Sequence, residues 1–278
     1  QFDYVLPEEL IAQEPLAERD RSRLLVVNRA DQTLRHRVFR DIVEYLRDDD
    51  LLVMNDTRVI PARLTGRKET GGKAEVLLLK RIAPALWEAI VKPGRRVAVE
   101  SKLIFDGGLS ADVIERNEAG GRTLRFTADS DPDALLAKLG EVPLPPYIHK
   151  QIEDPERYQT VYANEAGSAA APTAGLHFTP DLLASITSRG VRTAFVTLRV
   201  GLATFRPVRT ANIEDHQMHS EYFEISPETA EIINSAPGRI VCVGTTTARA
   251  LESAAVAKRR VAAGSSGRPT SSDWSRAW

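Results

Sequence analysis

Leu51-Leu52-Val53-Met54, followed at once by Asn55-Asp56-Thr57-Arg58, is the stretch that most directly sets the fold. Four consecutive apolar residues bounded by polar ones are typical of a strand buried on both faces. A second such run, Ile240-Val241-Cys242-Val243, leads through a glycine and three threonines into a helical pattern from Ala248 to Lys258. Helices alternating with short buried strands predict a layered α/β domain.

Between these two runs the pattern of apolar and polar residues changes. From residue 63 to about residue 128, short segments alternate between apolar and polar residues and are separated by glycines at close intervals. Period-2 segments joined by such turn signals predict an all-β unit, which we interpret as an inserted barrel. The predicted division is an α/β domain from both ends of the chain (1–62 and 148–260), a β-barrel domain (63–147) and an irregular tail (261–278).

Three further elements follow from local patterns. Leu24 to Val27 is an apolar run and predicts another short buried strand. Phe39 to Leu46 carries apolar residues on one helical face. Thr179 precedes a proline and a helical pattern that ends at Gly190, which predicts a capped helix.

Composition limits the class of protein. The chain has 278 residues, of which 42% are hydrophobic and 27% are charged, and its formal net charge is −1. No apolar run reaches the roughly 18 to 20 residues of a membrane span, and Gln1 to Tyr4 lack the features of a secretory signal. The single cysteine, Cys242, excludes an internal disulfide. We therefore expect a cytoplasmic protein without membrane contact, in which any nucleic acid would meet a local basic surface.

The segment Ile213 to Tyr222 concentrates reactive side chains. It places two histidines, three carboxylates and a phenol within ten positions. A histidine near a carboxylate can act as an acid or a base at neutral pH, and a solvated polar loop is the structural alternative. The candidate residues for proton transfer here are Asp215, His216, His219, Glu221 and Tyr222. We expect no metal, because the usual metal-binding spacings are absent.

A second candidate segment, Ala170 to Phe178, combines small residues with a hydroxyl and an imidazole ahead of a helix. Small residues such as Gly175 let the backbone approach a ligand, and a helix start favours an anionic group. Thr173 and Gly175 are therefore candidate binding residues, and His177 is a candidate for proton transfer. The alternative is a histidine held between apolar neighbours.

A third candidate is the turn from Gly244 to Arg249, which connects a strand to a helix. Ligands gather at such turns in α/β sheets, so Thr245, Thr246 and Arg249 are candidates for binding a carboxylate or phosphate. Alternatively, the threonines cap the helix and Arg249 pairs with Glu252 or Glu221.

The polar residues after Met54 form the fourth candidate. Asn55, Arg58 and Arg63 follow the buried strand and lie where the barrel is inserted. Ligands often bind at domain junctions and arginine favours phosphate. A network of salt bridges between the domains would use the same residues.

Together these segments resemble the S-adenosylmethionine:tRNA ribosyltransferase-isomerases of queuosine biosynthesis. The resemblance rests on seven stretches in the same order as in that family, covering the chain to about Ala255. They are Leu6–Ala12, Asn55–Arg63, Pro143–Ile148, Tyr158–Tyr162, Ala171–Phe178, Glu214–His216 with Met218–Tyr222, and Val243–Thr246 with Arg249.

The resemblance implies a two-part fold, an α/β domain with an inserted barrel, and an unusual reaction. The ribosyl group of S-adenosylmethionine passes to 7-aminomethyl-7-deazaguanine at the wobble position of tRNA and gives epoxyqueuosine. S-adenosylmethionine is then a co-substrate, and no prosthetic group is expected. In this view His177 and the segment 213–222 transfer protons, Arg249 with Thr245 and Thr246 holds a carboxylate or phosphate, and Arg58 and Arg63 bind tRNA. We expect a monomer.

Two differences from the family pattern define the alternatives. Arg199 stands where the family usually has a histidine, and Ala262 to Trp278 matches none of its later motifs, so we expect an altered or shortened C-terminal end. A tRNA-binding member that has lost catalysis is the first alternative. A methyltransferase is the second, but the glycine-rich loop that it would need is missing.

Overall fold

The computed structural model describes residues 4–117, 120–201, 221–257 and 260–266. Its α/β part is built on a five-stranded sheet in which the first three strands are parallel and the last two antiparallel. In spatial order the strands are β14 (Ile240–Cys242), β3 (Leu51–Asn55), β12 (Arg192–Arg199), β13 (Tyr222–Ile225) and β17 (Gly264–Ser266). Every residue of β3, which pairs with β14 and β12, is buried, as its sequence predicts.

Helices cover both faces of this sheet. They are α2 (Pro180–Ser188), α3 (Pro227–Asn234) and α4 (Gly244–Ala254). Alternate residues of β3 serve the two faces: Leu51 and Val53 pack with α3 and α4, whereas Leu52 and Met54 pack with α2. The predicted α/β layers are thereby confirmed.

Two of these helices begin with the same arrangement. The hydroxyl of Thr179 accepts a hydrogen bond from the amide of Leu182, and the hydroxyl of Ser226 accepts one from the amide of Thr229. Each cap is followed by a proline, whose missing amide costs nothing at the first helical position. The capped helix predicted after Thr179 is confirmed.

The inserted unit is a closed six-stranded barrel, as predicted. Its strands are β5 (Arg63–Lys68), β6 (Lys73–Ala83), β7 (Leu86–Lys92), β8 (Lys102–Ile104), β9 (Ser110–Arg116) and β10 (Arg122–Thr127). Their inward side chains, with Leu136 of helix α1 (Pro132–Leu139), form one apolar core.

Barrel and sheet meet where the chain leaves and re-enters the α/β part. Arg63 and Glu141 exchange two backbone hydrogen bonds of 2.9 and 2.8 Å. A Cβ at Gly140 would lie 1.9 Å from the carbonyl oxygen of Pro61, so this junction requires glycine. The residue boundaries drawn between the two domains stay a prediction.

The remaining elements are short and lie around this frame. The strands are β1 (Arg23–Asn28) and β2 (Thr33–Val38), β4 (Thr57–Val59) and β11 (Glu165–Ser168), and β15 (Ala255–Ala257) and β16 (Arg260–Val261). The 3-10 helices are Glu8–Leu10, Arg19–Arg21, Phe39–Glu44, Gly94–Arg96, Asp106–Gly108, Pro155–Tyr158 and Thr173–His177. The helix expected from Phe39 to Leu46 is thus a shorter 3-10 helix. Within the described ranges, none of the helices has the length and apolar character needed to cross a membrane.

Two predictions about exposure and order are wrong. Leu24 to Val27 does form a strand, but Leu25 and Val27 are 52% and 56% exposed because β1 pairs only with β2, outside the main sheet. The tail expected to be irregular from residue 261 contains β17, which pairs with β13. The reason is that backbone groups along a free strand edge pair largely independently of side chains. Residues 267–278 lie outside the described part of the chain.

Candidate active site

A cavity of about 500 Å³ opens at the carboxyl edge of the parallel strands. Val200, which follows β12, and Gly244, which follows β14, both line it. Ligands of open α/β sheets bind at this edge. The remaining wall residues are Pro145, Pro146, Tyr147, Tyr158, Ala170, Ala171, Pro172, Thr173, Ala174, Thr245 and Thr246. No charged side chain belongs to this described wall.

The start of helix α4 forms one wall of the cavity. Val243 stands at the cap position, and no side-chain hydrogen bond caps the helix within the described residues. The hydroxyl of Thr246 is buried without a hydrogen-bond partner among the described groups. Because the first amides of a helix carry partial positive charge, this wall suits an anionic oxygen.

A second part of the wall is the 3-10 helix Thr173–His177, whose first two residues line the cavity. Gly175 is buried, and a Cβ there would lie 2.0 Å from the hydroxyl oxygen of Tyr162. The close contact between Gly175 and Tyr162 therefore fixes the position of the segment that carries Thr173. The structure brings together three predicted binding residues: Thr173, Thr245 and Thr246.

His177 lies outside the cavity wall. Its ring centroid is 5.1 Å from that of Phe39, and Arg19 donates a hydrogen bond of 3.2 Å to the adjacent Leu176 carbonyl. Burial lowers the pKa of His177 below its ordinary value, with a smaller opposing effect from a hydrogen bond to the Arg19 backbone. The imidazole is therefore neutral at physiological pH and held among apolar rings.

This burial predicts a pH-dependent difference in stability between wild type and His177→Gln. The unfolded chain protonates His177 more readily, so its stabilising contribution is present above about pH 6.5 and lost as the pH falls toward the lower folded pKa. Denaturant unfolding of both proteins between about pH 5.5 and 8 measures this. The wild-type free energy of unfolding should fall more steeply toward acid than that of the variant. If the free energy of unfolding of the two proteins depended on pH in the same way, this would contradict the burial of His177.

Glu221 and Arg249 form an ion pair outside the described lining of the cavity. The Glu221 side chain is 4% exposed and that of Arg249 is 12% exposed. The second carboxylate oxygen of Glu221 accepts a hydrogen bond of 3.1 Å from the amide of Gly201. This pairing is one of the alternatives drawn from the sequence, and it engages both oxygens of Glu221.

The side chain of Tyr222 contacts Glu224 and Arg199. Its hydroxyl donates a hydrogen bond of 2.8 Å to Glu224, and the guanidinium of Arg199 lies 4.9 Å from its ring centroid. Arg199 therefore contacts the aromatic face of a residue predicted to transfer protons. Asp215, His216 and His219 lie outside the described residues.

The predicted binding residues after β3 are engaged within the protein. Asn55 is fully buried, and its side chain exchanges two hydrogen bonds of 3.0 Å with the backbone of Leu198. Arg58 pairs with Glu156. Arg63 donates a hydrogen bond of 3.4 Å to the Leu144 carbonyl and lies 3.8 Å from the carboxylate of Glu75. By the predicted boundaries each of these contacts lies within a single domain, so they are not the salt bridges between domains that were weighed from the sequence.

Two tyrosines of the cavity wall were not among the predicted site residues. Tyr158 is 7% exposed, and burial raises its pKa to about 12, whereas a hydrogen bond to the Ala171 backbone acts in the opposite direction. Tyr147 is 52% exposed at the same wall. Both lie in stretches that carry the family resemblance, and that was the signal that could have identified them.

Asp56 lies outside the described cavity lining and was not among the predicted site residues. It follows β3 directly and accepts a hydrogen bond of 2.7 Å from the hydroxyl of Thr197. Burial raises its pKa, and this hydrogen bond offsets part of the effect. A carboxyl placed immediately after a buried strand was the signal in the sequence.

Comparison with known proteins decides the family. The family model described as "Queuosine biosynthesis protein" matches residues 1–273. The chain belongs to this family. The resemblance drawn from the seven stretches is thereby confirmed, and the matched range includes part of the segment set apart as a tail.

Two members of the queuosine biosynthesis family show how similar the chain is. It is 54% identical over 256 residues to the S-adenosylmethionine:tRNA ribosyltransferase-isomerase of Acetivibrio thermocellus, covering 90% of this chain and 75% of that protein. The crystal structure of S-adenosylmethionine tRNA ribosyltransferase from Thermotoga maritima is 37% identical, with 90% of this chain and 71% of that one covered and a TM-score of 0.41.

Proposed function

We propose that this chain transfers the ribosyl group of S-adenosylmethionine to 7-aminomethyl-7-deazaguanine at the tRNA wobble position and isomerises it to epoxyqueuosine. The name of the 54% identical relative supports the reaction class. The observation that carries the proposal is the cavity at the sheet edge, whose described lining has no charged side chain. At this wall no described side chain caps α4, and the buried Thr246 hydroxyl has no hydrogen-bond partner among the described groups.

The volume and the lining of the cavity match the chemical groups of S-adenosylmethionine. Its volume of about 500 Å³ lies within the range of small-molecule sites. We place the methionine carboxylate at the first amides of α4, with the hydroxyls of Thr245 and Thr246 as further donors. The aromatic rings of Tyr147 and Tyr158 supply π-faces for the adenine or for the sulfonium cation.

The chemistry requires proton transfers around the sulfonium. Its positive charge makes hydrogens on the adjacent ribosyl carbon acidic, so a general base removes one of them. Three bonds then form: one from the aminomethyl nitrogen to a ribosyl carbon, one between ribosyl carbons that closes the carbocycle, and one from oxygen to carbon that closes the epoxide. Three bonds break: those to adenine, to the methionine sulfur, and between a ribosyl carbon and the ring oxygen. Adenine leaves more readily if an acid protonates it.

The predicted proton-transfer residues differ in whether their polar atoms already have partners within the protein. His177 is neutral and can accept a proton, although it stands one turn behind the cavity wall. Glu221 is engaged by Arg249 and Gly201, so we assign it the role of positioning Arg249. The roles of Asp215, His216, His219 and Tyr222 stay predictions, as do the monomeric state and the cytoplasmic location.

A matched pair of threonine variants tests the carboxylate site. Thr246→Val removes a hydroxyl that has no described partner, so it should leave the free energy of unfolding unchanged or higher. Loss of a hydrogen bond to a charged ligand group costs about 1.5 to 3 kcal/mol. We therefore expect the KM for S-adenosylmethionine to rise roughly ten- to a hundredfold.

Thr247→Val is the control. The Thr247 hydroxyl donates a hydrogen bond of 2.8 Å to the Val243 carbonyl within the helix, away from any ligand role. This variant should lower stability by about 1 kcal/mol and leave the KM unaltered. An unchanged KM in Thr246→Val, or the same increase in both variants, would contradict the placement of the carboxylate.

A further inference from the structure

Strands β1 and β2 form a hairpin that projects from the α/β part. The two strands pair over six residues each, from Arg23 opposite Val38 to Asn28 opposite Thr33. At about 3.3 Å per residue the hairpin is roughly 20 Å long. All residues from Val27 to Val38 are exposed, so nothing in the described structure covers its outer half.

The hairpin is basic in a chain whose net charge is −1. It contains Arg23, Arg29, Arg35 and Arg37 against one carboxylate, Asp31. Within the described ranges, none of these four arginines lies within salt-bridge distance of a carboxylate; their neighbours Arg21 and Arg40 do. The acidic partners available nearby are thus used by arginines at the base of the hairpin and not by those along it.

Two of these arginines share one face. Residues of a strand alternate between faces, and the register places Arg35 opposite Val26 and Arg37 opposite Leu24. The only hydrogen bond from the Arg37 guanidinium within the described structure goes to the adjacent His36 carbonyl. Arginine binds phosphate oxygens through paired donors more readily than lysine does.

The base of the hairpin is joined to the cavity wall. Phe39, directly after β2, packs its ring against His177 and Phe178. Arg19, in the short helix before β1, donates hydrogen bonds to the carbonyls of Leu176 and Gln159. The hairpin therefore projects from the contacts that hold the Thr173–His177 segment in place.

We infer that the arginines of this hairpin bind the sugar–phosphate backbone of the tRNA whose target base enters the cavity. This inference rests on the proposed function, because that function supplies a polyanion at the cavity. A fixed array of guanidinium groups joined to the cavity wall would orient the nucleic acid without reading its sequence.

The test compares binding of an unmodified tRNA transcript, with guanine at the wobble position, to the full chain and to Arg35→Gln/Arg37→Gln. Fluorescence anisotropy is measured between about 50 and 200 mM salt. Each lost phosphate contact lowers the slope of log affinity against log salt by about 0.7 to 0.9. We expect the slope to fall by about 1.4 to 1.8 and the Kd at low salt to rise roughly tenfold.

Arg192→Gln is the matched control, since Arg192 is exposed and begins β12 at the sheet edge away from the cavity. It should leave Kd and slope almost unchanged. An unchanged slope in the double variant, or an equal fall in the control, overturns the inference. So does a change in oligomeric state with unaltered RNA affinity, which would make the hairpin a contact between copies of the chain.

Nucleoside mass spectrometry of the wild-type reaction separates this inference from the proposed function. Product formation with an unchanged slope in the double variant removes the hairpin inference alone. A reduced slope without product from the wild-type chain removes the transfer reaction and leaves the hairpin as an RNA-binding surface.

Discussion

Arg249→Ala should lower the free energy of unfolding by about 3 to 5 kcal/mol, because it leaves the carboxylate of Glu221 buried without its cation. Denaturant unfolding followed by circular dichroism measures the effect. The loss would place the pair among the larger contributions to the stability of the α/β part.

The control is Arg58→Ala. Arg58 pairs with Glu156, but their side chains are 36% and 62% exposed, so this pair contributes about 0 to 1 kcal/mol. Equal destabilisation by the two variants would contradict the view that burial sets the cost. Arg249→Ala that unfolds as easily as wild type would show that Glu221 finds another partner or becomes neutral.

Gly175→Ala should destabilise the protein by about 1 to 3 kcal/mol and reduce turnover, since its Cβ would lie 2.0 Å from the Tyr162 hydroxyl oxygen. The 3-10 helix Thr173–His177 must move to relieve this overlap, and Thr173 then leaves its place in the cavity wall. Unfolding and steady-state kinetics with S-adenosylmethionine are the measurements.

A double-mutant cycle identifies the cause. The Tyr162 hydroxyl is buried without a partner among the described residues, so Tyr162→Phe alone should cost almost nothing. It also removes the atom nearest to the new methyl group, leaving Thr160 Cγ2 at 2.9 Å as the next contact. Most of the loss in Gly175→Ala should therefore disappear in the double variant. Additive effects would mean that the hydroxyl is not the obstacle.

The large elements of the fold could be predicted because each depends on a local pattern. Leu51 to Met54 is continuous, apolar and short, a pattern typical of a strand buried on both faces. Leu24 to Val27 has the same pattern but forms an exposed hairpin. The difference lies in which strands pair, and pairing over long sequence separation is not encoded locally.

The candidate site was predictable in part for a related reason. Thr245 and Thr246 were predicted because they stand at a strand-to-helix turn, and Thr173 because it stands among small residues ahead of a helix. All three line the cavity. Pairing of Arg249 with Glu221 was one of the alternatives weighed from the sequence, and the tertiary structure shows this contact across 28 positions. The exposed Tyr147 reaches the cavity through the connector that returns from the barrel, and its place there depends on how the two domains meet.

The neighbours of His177 in the sequence do not decide whether its imidazole is catalytic or packed among apolar residues. An imidazole beside small residues suggests catalysis, yet the structure packs this ring against Phe39, which is 138 positions away in the sequence. The sequence permitted both interpretations, and only the packing shows that the described cavity wall does not include it.

The most direct test of the account is nucleoside mass spectrometry of tRNA bearing 7-aminomethyl-7-deazaguanine after incubation with this chain and S-adenosylmethionine. It is run on wild type and on Ala174→Trp, which places an indole in the cavity. We expect epoxyqueuosine from the wild-type chain and little or none from the folded variant. No product from folded wild type, or equal product from both proteins, would contradict the claim that this cavity carries out ribosyl transfer.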